Sequence, residues 1–467
     1  MIWRNVRLQT ADYTDCMTQT AKLQSLGLFD SRVPRYTSYP TAPVFGPAVA
    51  AVFQTDCLRG LAPDVPISVY VHIPFCERLC WFCACRTQGT RTLSPVETYI
   101  ETLEAELALL AAALPHGVRM GRLHWGGGTP TILPPHLIRR LAQAIKSVIP
   151  PADPFEFSVE IDPTLVDAAK IAALQAEGMT RASIGIQDFS ETVQKAIGRQ
   201  QSFEATAYCV QILRDAGISS LNADLVYGLP HQTPYSIAES VDKVLSLRPD
   251  RIALFGYAHV PWMAKRQQLI DEAALPGDTA RHDLANVAAD IFAAAGFTRI
   301  GIDHFALPGD GLSLAAQSRT LRRNYQGYTE DTCQTLLGLG ASSISRFEDG
   351  YVQNAAATAA YTARIAAGNL AGYRGHVLTA DDRLRARAIE MLLCDFHLDF
   401  RALCGAFKVS PTALSSIAQR IATEFGGLVA ADSSGLTILP AGKPLARIIA
   451  QRFDAYPIAE ARFSKVS

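Results

Sequence analysis

An α/β fold built on a parallel sheet follows from three features of the chain. Between residues 67 and about 305, short runs rich in β-branched and aromatic residues alternate with longer stretches of helical period. The helical stretches close on Glu-Gly or Ala-Gly pairs at 177–178, 216–217 and 295–296, where a left-handed residue ends a helix. Six strand–helix units in series then require parallel pairing, because a helical crossover returns the next strand in the same direction.

Taken in order, residues 1–65 form an N-terminal arm ending in a helix-like segment. PRYTSYPT at 34–41 is no regular helix, since its prolines bias the preceding residues to extended geometry. A surface arm and an arm folded over a pocket are both open readings. Residues 66–370 carry the alternation. The strands are ISVYVHI (67–73), RLHWGG (122–127), EFSVEI (156–161), RASIGI (181–186), LNADLVYG (221–228) and IALFGYA (252–258). Helical stretches include 96–114, 165–178 and 204–217. A seventh strand-like run, TRIGIDHF (298–305), extends the sheet or lines its bottom. Curvature is not legible in periodicity, so barrel against open sheet stays undecided on these grounds. Residues 371–467 form a separate C-terminal unit: helices at 383–400 and 411–426, a hairpin at 427–442 turning on DSSG, then a helix to about 455. That order is winged-helix-like. Its second helix carries one arginine and one glutamate, too little charge for a nucleic-acid recognition helix.

Charge and cysteine usage narrow the class. Lysine plus arginine is 43 against 44 acidic residues, which gives no bulk attraction to nucleic acid. The longest apolar stretches, such as LALLAAAL at 107–114, are too short to span a bilayer. MIWRNVRLQTADYTDC lacks the apolar core of an export signal, so the expected location is cytoplasmic. Ten cysteines in 467 residues are too few for a disulfide framework.

Four of them sit in ten residues: Cys76, Cys80, Cys83 and Cys85, in HIPFCERLCWFCAC just after the first strand. Three thiolates at CxxxCxxC spacing can bind three irons of a cubic 4Fe-4S cluster and leave the fourth without a protein ligand. Phe75, Trp81 and Phe82 supply apolar shielding. A four-cysteine zinc site is the competing reading, but Cys83 and Cys85 are cramped for one ion, and structural zinc joins knuckles set further apart. With Cys76, Cys80 and Cys83 as ligands, Cys85 is left over.

Polar groups collect at successive strand ends, where parallel βα folds bind ligands. Gly126, Gly127 and Gly128 follow strand two, where bare amides either cup an anion or make a tight turn. Glu160, Gln187 and Asp224 end strands three, four and five.

The cysteine loop resembles that of radical S-adenosylmethionine enzymes. Over nearly its whole length the chain is most similar to the oxygen-independent coproporphyrinogen III oxidases, through PRYTSYPT, YVHIPFC (70–76), CxC (83–85), LHWGGGTPT (123–131) and SVEIDP (158–163). GIQDF (185–189), DLVYGLP (224–230), YAH (257–259), GIDHFA (301–306) and RNYQGYT (323–329) continue it. A shorter sister family of haem chaperones shares the loop but typically lacks the arm and the CxC cysteine. The resemblance implies a partial (β/α)6 TIM-like barrel and a 4Fe-4S cluster on Cys76, Cys80 and Cys83. It also implies one S-adenosylmethionine held by Tyr70, Phe82, Gly127, Glu160 and Ile344. A second molecule would lie among Gly128, Thr129, Gln187, Arg199, Asp224 and Ala258. The implied reaction turns two propionates of coproporphyrinogen III into vinyl groups. Tyr36, Tyr39 and Arg323, with Arg199 as second choice, are candidates for holding carboxylates, and Cys85 for assisting the chemistry. His304 is either a substrate contact or a core hydrogen bond. A low-potential donor such as flavodoxin or ferredoxin is the implied partner, and a monomer the implied state. Trp81 where tyrosine is usual, Ala84 where glycine is usual, and Arg322 where histidine is frequent depart from the pattern.

Overall fold

The computed structural model describes residues 19–47 and 50–456. The described chain forms two compact units. One comprises Ala42–Arg322 with Thr329–Thr379; the other gathers the N-terminal segment through Thr41, Arg323–Tyr328 and the chain from Ala380.

The larger unit holds six parallel strands in sequence order: β1 (Ile67–Ile73), β2 (Met120–Gly127), β3 (Pro151–Ile161), β4 (Arg181–Gln187), β5 (Ser220–Tyr227) and β6 (Arg251–Gly256). Helices α1 (Ser94–Ala113), α2 (Pro135–Val148), α3 (Ala168–Ala176), α4 (Phe203–Asp215) and α5 (Pro234–Ser246) make the crossovers, and α6 (Asp278–Ala294) follows β6. Gly178, Gly217 and Gly296 end α3, α4 and α6 with φ of 85°, 81° and 88°, which a side chain would disfavour. Hydrogen-bonded strand order is linear and does not close, so the sheet is a partial barrel.

Two edges differ from the reading of the sequence. Residues 298–305 are not one strand. Gly301, at φ 56°, breaks the run into Thr298–Ile300 and His304–Ala306, which pair antiparallel with each other. His304–Ala306 then pairs antiparallel with β6. At the opposite edge, Leu336–Leu339 adds a further parallel strand beside β1, and Ile344–Phe347, Gly350–Asn354 and Gly372–Val377 continue antiparallel. Four residues of LLGL are too short to register as a periodic element.

The sheet's two faces have opposite chemistry. Val69, Val71, Leu123, Trp125, Phe157, Val159, Ala182 and Ile184 are buried in one continuous apolar core. The alternate residues are polar and bond one another across the strands. Lowest are Arg122, Glu156, Arg181 and Arg251, with Asp310, Glu330 and Asp331 from later segments closing the set. Above them lie Tyr70, His124, Ser158, Ser183 and Asn222. Strands covered by helices on both faces read as unbroken apolar runs. Alternation here means that the inner face looks into a polar interior.

In the smaller unit, the helix expected at 383–400 stops at Cys394. Phe396 takes φ 52°, and His397–Asp399 becomes a strand against Gly435–Ile438. With Phe400–Phe407, Pro411–Glu424 and Val429–Ala431 this gives a winged-helix arrangement. The turn of the predicted hairpin forms on Asp432, whose Oδ1 accepts from the amides of Ser434 and Gly435. The last expected helix is three short turns, Pro440–Leu445, Ala446–Ala450 and Gln451–Phe453.

Candidate active site

The loop after β1 carries the cysteines into a cavity of about 270 Å³ at the C-terminal ends of the strands. Cys76, Cys80, Cys83 and Cys85 all line it. The loop is pinned at both ends by the backbone. Gln88 N–H donates to the Pro74 carbonyl at 2.7 Å, Thr90 N–H to Cys76 at 3.0 Å, and Trp81 N–H to Ile197 at 2.9 Å.

Each sulfur has its own surroundings. The Thr129 hydroxyl donates to Cys76 Sγ at 3.5 Å, and burial pushes that thiol up to about 11. Arg199 Nη1 donates to Cys80 Sγ at 3.6 Å. A hydrogen bond from the Cys85 thiol, working against burial, draws the Cys83 thiol below its usual value, with Arg266 and Arg199 adding to the effect. Among the described residues no three His, Cys, Asp or Glu side chains meet closely enough for a single ion. A soft set of thiols lining one cavity, three of them facing hydrogen-bond donors, suits a sulfide-bridged cluster.

Opposite stand the strand-end groups. Glu160 accepts from Gly127 N–H at 3.0 Å and lies 3.4 Å from His124 Nε2. Burial raises its carboxyl, but the His124 and Gly127 interactions outweigh that and hold it below the usual value. Asp224 accepts from Asn222 at 2.7 Å and Ser183 at 3.0 Å. Burial, reinforced by the charge on Glu160, lifts it to about 6. Gln187 lines the cavity from a left-handed backbone, φ 69°. Arg199 is fixed on four sides: by Asp162 at 3.2 Å, the Gly185 carbonyl at 2.8 Å, Gln201 Oε1 at 3.2 Å and Cys80.

The three glycines are explained by crowding. A Cβ on Gly126 would fall 2.6 Å from Glu160 Oε1, and one on Gly127 would fall 2.6 Å from the His72 ring, where φ is already 112°. The amides of Gly127, Gly128 and Thr129 are donated to Glu160, Ile73 and Phe75. The geometry therefore corrects the anion-cup reading of this loop. It is a tight turn that lets carboxylate and histidine approach the backbone.

Phe82, Gly127, Gly128, Thr129, Glu160, Gln187, Arg199 and Asp224 share the cavity. Three other sequence candidates are not part of its lining. Tyr70 stacks on His124 with centroids 5.7 Å apart and bonds His72 Nδ1 at 3.2 Å. The Ala258 carbonyl accepts from Gln267, and Ile344 begins a strand paired between Leu336–Leu339 and Gly350–Asn354. His304 is buried against Phe255, its Nδ1 2.7 Å from Asp303 Oδ1, which matches the core reading. In the smaller unit the Tyr36 hydroxyl donates to Asp454 at 2.9 Å and the Tyr39 hydroxyl accepts from Ala455 N–H at 2.8 Å. Arg323 lies over the Tyr328 ring and donates to the Arg35 carbonyl at 3.4 Å. The arm is thereby stitched to the C-terminal segment, with Arg447 also bonding Val33 and Pro34 carbonyls.

Asp162, Arg266 and Gln267 were not among the sequence candidates. Arg266 Nη2 donates to Thr87 Oγ1 at 2.8 Å and to the Cys85 carbonyl at 3.3 Å. Fully buried Gln267 donates to the carbonyls of Phe82 at 2.6 Å and Ala258 at 3.1 Å. Both come from a short 3-10 turn, Lys265–Leu269, which carries no motif.

Residues 70–244 match the model of the radical SAM superfamily. The chain is 64% identical to the anaerobic coproporphyrinogen III oxidase 1 of Cereibacter sphaeroides, over 97% of this chain and all of the relative. It is 37% identical to the oxygen-independent coproporphyrinogen III oxidase of Pseudomonas aeruginosa, over 94% of this chain and 97% of that one. The chain belongs to the oxygen-independent coproporphyrinogen III oxidase family. A solved structure of the coproporphyrinogen III oxidase of Escherichia coli, described as a radical SAM enzyme, superposes with a TM-score of 0.87. It has 36% sequence identity and covers 91% of this chain and 98% of that one. Radical SAM membership implies an iron–sulfur cluster and S-adenosylmethionine, and the donor set described above fits both. No helix among the described residues is long and apolar enough to cross a membrane.

Proposed function

We propose that this protein converts coproporphyrinogen III to protoporphyrinogen IX without oxygen, by oxidative decarboxylation of two propionates. The observation that supports it is one cavity in which three cysteines at CxxxCxxC spacing face Glu160, Gln187, Arg199 and Asp224. When bound, the cluster and S-adenosylmethionine supply a 5′-deoxyadenosyl radical, which takes a hydrogen atom that no side-chain base could remove as a proton.

The chain's own part is holding and orienting. Cys76, Cys80 and Cys83 are assigned as the ligands, with Arg199 Nη1 donating to Cys80 Sγ. Glu160, held ionised by His124 and Gly127, is assigned to the ammonium of S-adenosylmethionine through a charge-assisted contact. Asp224 and Gln187 are assigned to hydroxyl and amine groups of a second S-adenosylmethionine, Asp224 already oriented by Asn222 and Ser183. Tyr70 acts through His72 and His124, keeping the rings behind the glycine turn in place. We assign propionate anchoring to Arg323, a rigid cation suited to carboxylates. The proposal further takes the protein as a cytoplasmic monomer served by a low-potential carrier such as flavodoxin or ferredoxin.

The test is anaerobic incubation with coproporphyrinogen III, S-adenosylmethionine and dithionite, followed by chromatography of the oxidised porphyrins. Divinyl product formed with methionine and 5′-deoxyadenosine supports the proposal. S-adenosylmethionine cleavage with no vinyl product would overturn it.

A further inference from the structure

The two segments that wall the cysteines from outside share an uneven charge. Residues 77–91 and 262–269 carry Arg78, Arg86, Arg91, Lys265 and Arg266 against Glu77 alone, in a chain whose totals balance at 43 and 44. They are joined in the fold: Arg266 reaches Thr87 and the Cys85 carbonyl, and Gln267 reaches the Phe82 carbonyl. On this basic ground lie large apolar side chains in water. Trp262 is 53% exposed, Met263 65% and Leu269 60%. Nothing in the reaction uses them, and turns of this kind are ordinarily polar.

Exposed apolar side chains among mainly basic neighbours, with the acidic pair Asp271 and Glu272 just beyond Leu269, have the make-up of a protein interface: hydrophobic anchors at the centre, steering charges at the rim. Its place is informative. Arg266 both lines the cavity and grips the carbonyl of Cys85, so this surface is separated from the sulfur-bearing wall by the backbone of the loop itself.

We propose that Trp262, Met263 and Leu269, with Arg86, Arg91 and Lys265 around them, form the docking surface for an acidic one-electron carrier protein. The inference rests on the reading of the cavity as a reducible iron–sulfur site. One electron leaves the carrier's reduced centre and one enters the cluster held by the loop; no bond is made or broken. Basic side chains steer an acidic partner, and the apolar trio retains it long enough for transfer.

The test uses the full-length holoenzyme and two double variants outside the cavity lining, Arg91→Glu/Lys265→Glu and Met263→Ser/Leu269→Ser. Binding of oxidised flavodoxin is read by fluorescence anisotropy, independently of turnover. S-adenosylmethionine cleavage is then driven either by reduced flavodoxin or by dithionite, which needs no docking. The charge-reversal variant should weaken flavodoxin binding and raise its KM roughly tenfold at low salt, with the difference shrinking at high salt. The serine variant should weaken binding by a similar factor at every salt concentration. Dithionite-driven cleavage should stay at the wild-type rate in both. Unchanged flavodoxin affinity in both variants would overturn the proposal, as would equal loss with both reductants. Failure of the wild type to cleave S-adenosylmethionine with dithionite would sink the reading of the reaction, while the anisotropy still decides the docking surface.

Discussion

Both ends of the partial barrel bury charge, and they do so in opposite ways. At the lower end Arg122, Arg181 and Arg251 are matched by Glu156, Asp310, Glu330 and Asp331, with Arg181 2.6 Å from Glu330 and 2.7 Å from Glu156. At the upper end Glu160, Asp224 and four thiols converge with Arg199 as the main buried cation, and Arg199 is already committed to Asp162. A closed set of complementary charges needs no ligand. A cavity lined by four thiols, three carboxylates and three arginines does, because its groups keep hydrogen-bonding capacity that the protein leaves unused. Closure of the ion-pair network, more than burial or balance of charge, separates the structural end of this sheet from the reactive one.

The sharpest break between the ends is expected from the cysteines. Cys80→Ser removes a soft ligand from the upper end and should abolish the cluster, dropping turnover by about a thousandfold or more. Iron and sulfide analysis with electron paramagnetic resonance reads this directly. Cys85→Ser should keep normal iron content. Normal iron in Cys80→Ser would remove that residue from the ligand set.

The lower end should respond in stability alone. Arg251→Met leaves Asp310 without its 2.8 Å partner and weakens the hold on Glu330. Stranding buried carboxylates costs about 3–5 kcal/mol. Urea unfolding of the variant should show a loss of that size, while iron content per folded molecule stays at the wild-type level. A loss of affinity for S-adenosylmethionine without a loss of stability would mean the two ends are not independent.

Much of this division could be read from the chain before any coordinates. Strands β1 to β6, three of the crossover helices and the glycine caps follow from period and turn chemistry, while the seventh parallel strand, Leu336–Leu339, does not. The cysteine spacing locates the reactive end, and Glu160, Gln187 and Asp224 were legible because they end apolar strands. What escaped notice was the alternation inside the strands. Arg122 and His124, Glu156 and Ser158, Arg181 and Ser183, and Asn222 and Asp224 recur every second residue, which a sheet apolar on both faces would not show. That signal was available and marks a polar interior. Arg266 and Gln267 were not available, since a 3-10 turn met only through tertiary contacts has no period to find. Likewise Tyr36 and Tyr39 look suited to substrate, yet their hydroxyls bond Asp454 and Ala455, more than four hundred residues away, a pairing that no local pattern encodes.

A subtler separation concerns affinity at the upper end. Glu160→Gln preserves volume and one acceptor but removes the charge that His124 and Gly127 sustain. Charge-assisted contacts of this type carry about 1.5–3 kcal/mol, so the dissociation constant for S-adenosylmethionine should rise about ten- to a hundredfold. Equilibrium dialysis of reconstituted enzyme is the measurement, with iron content as the control. Unchanged affinity would return Glu160 to a purely structural part in the glycine turn.

The smallest effect is a pH dependence at the upper end. Asp224 is raised to about 6, first by burial and then by Glu160. A carboxyl with a native pKa above its unfolded value binds its proton more tightly when folded, so the unfolded state holds fewer protons between about 4 and 6. Stability therefore falls as pH rises through that window, and the penalty is complete above it. Asp310 at the lower end, lifted to about 6 by burial despite Arg181 and Arg251 beside it, adds a decline of the same sign. Asp224→Asn in the cofactor-free protein should remove the Asp224 part of the decline. Relative to wild type, the variant should gain on the order of 1 kcal/mol between pH 4 and pH 7, read as a difference in urea midpoint at the two pH values. A wild type and variant that keep a constant offset across the range would show that Asp224 stays ionised throughout, with Asn222 and Ser183 satisfying its charge.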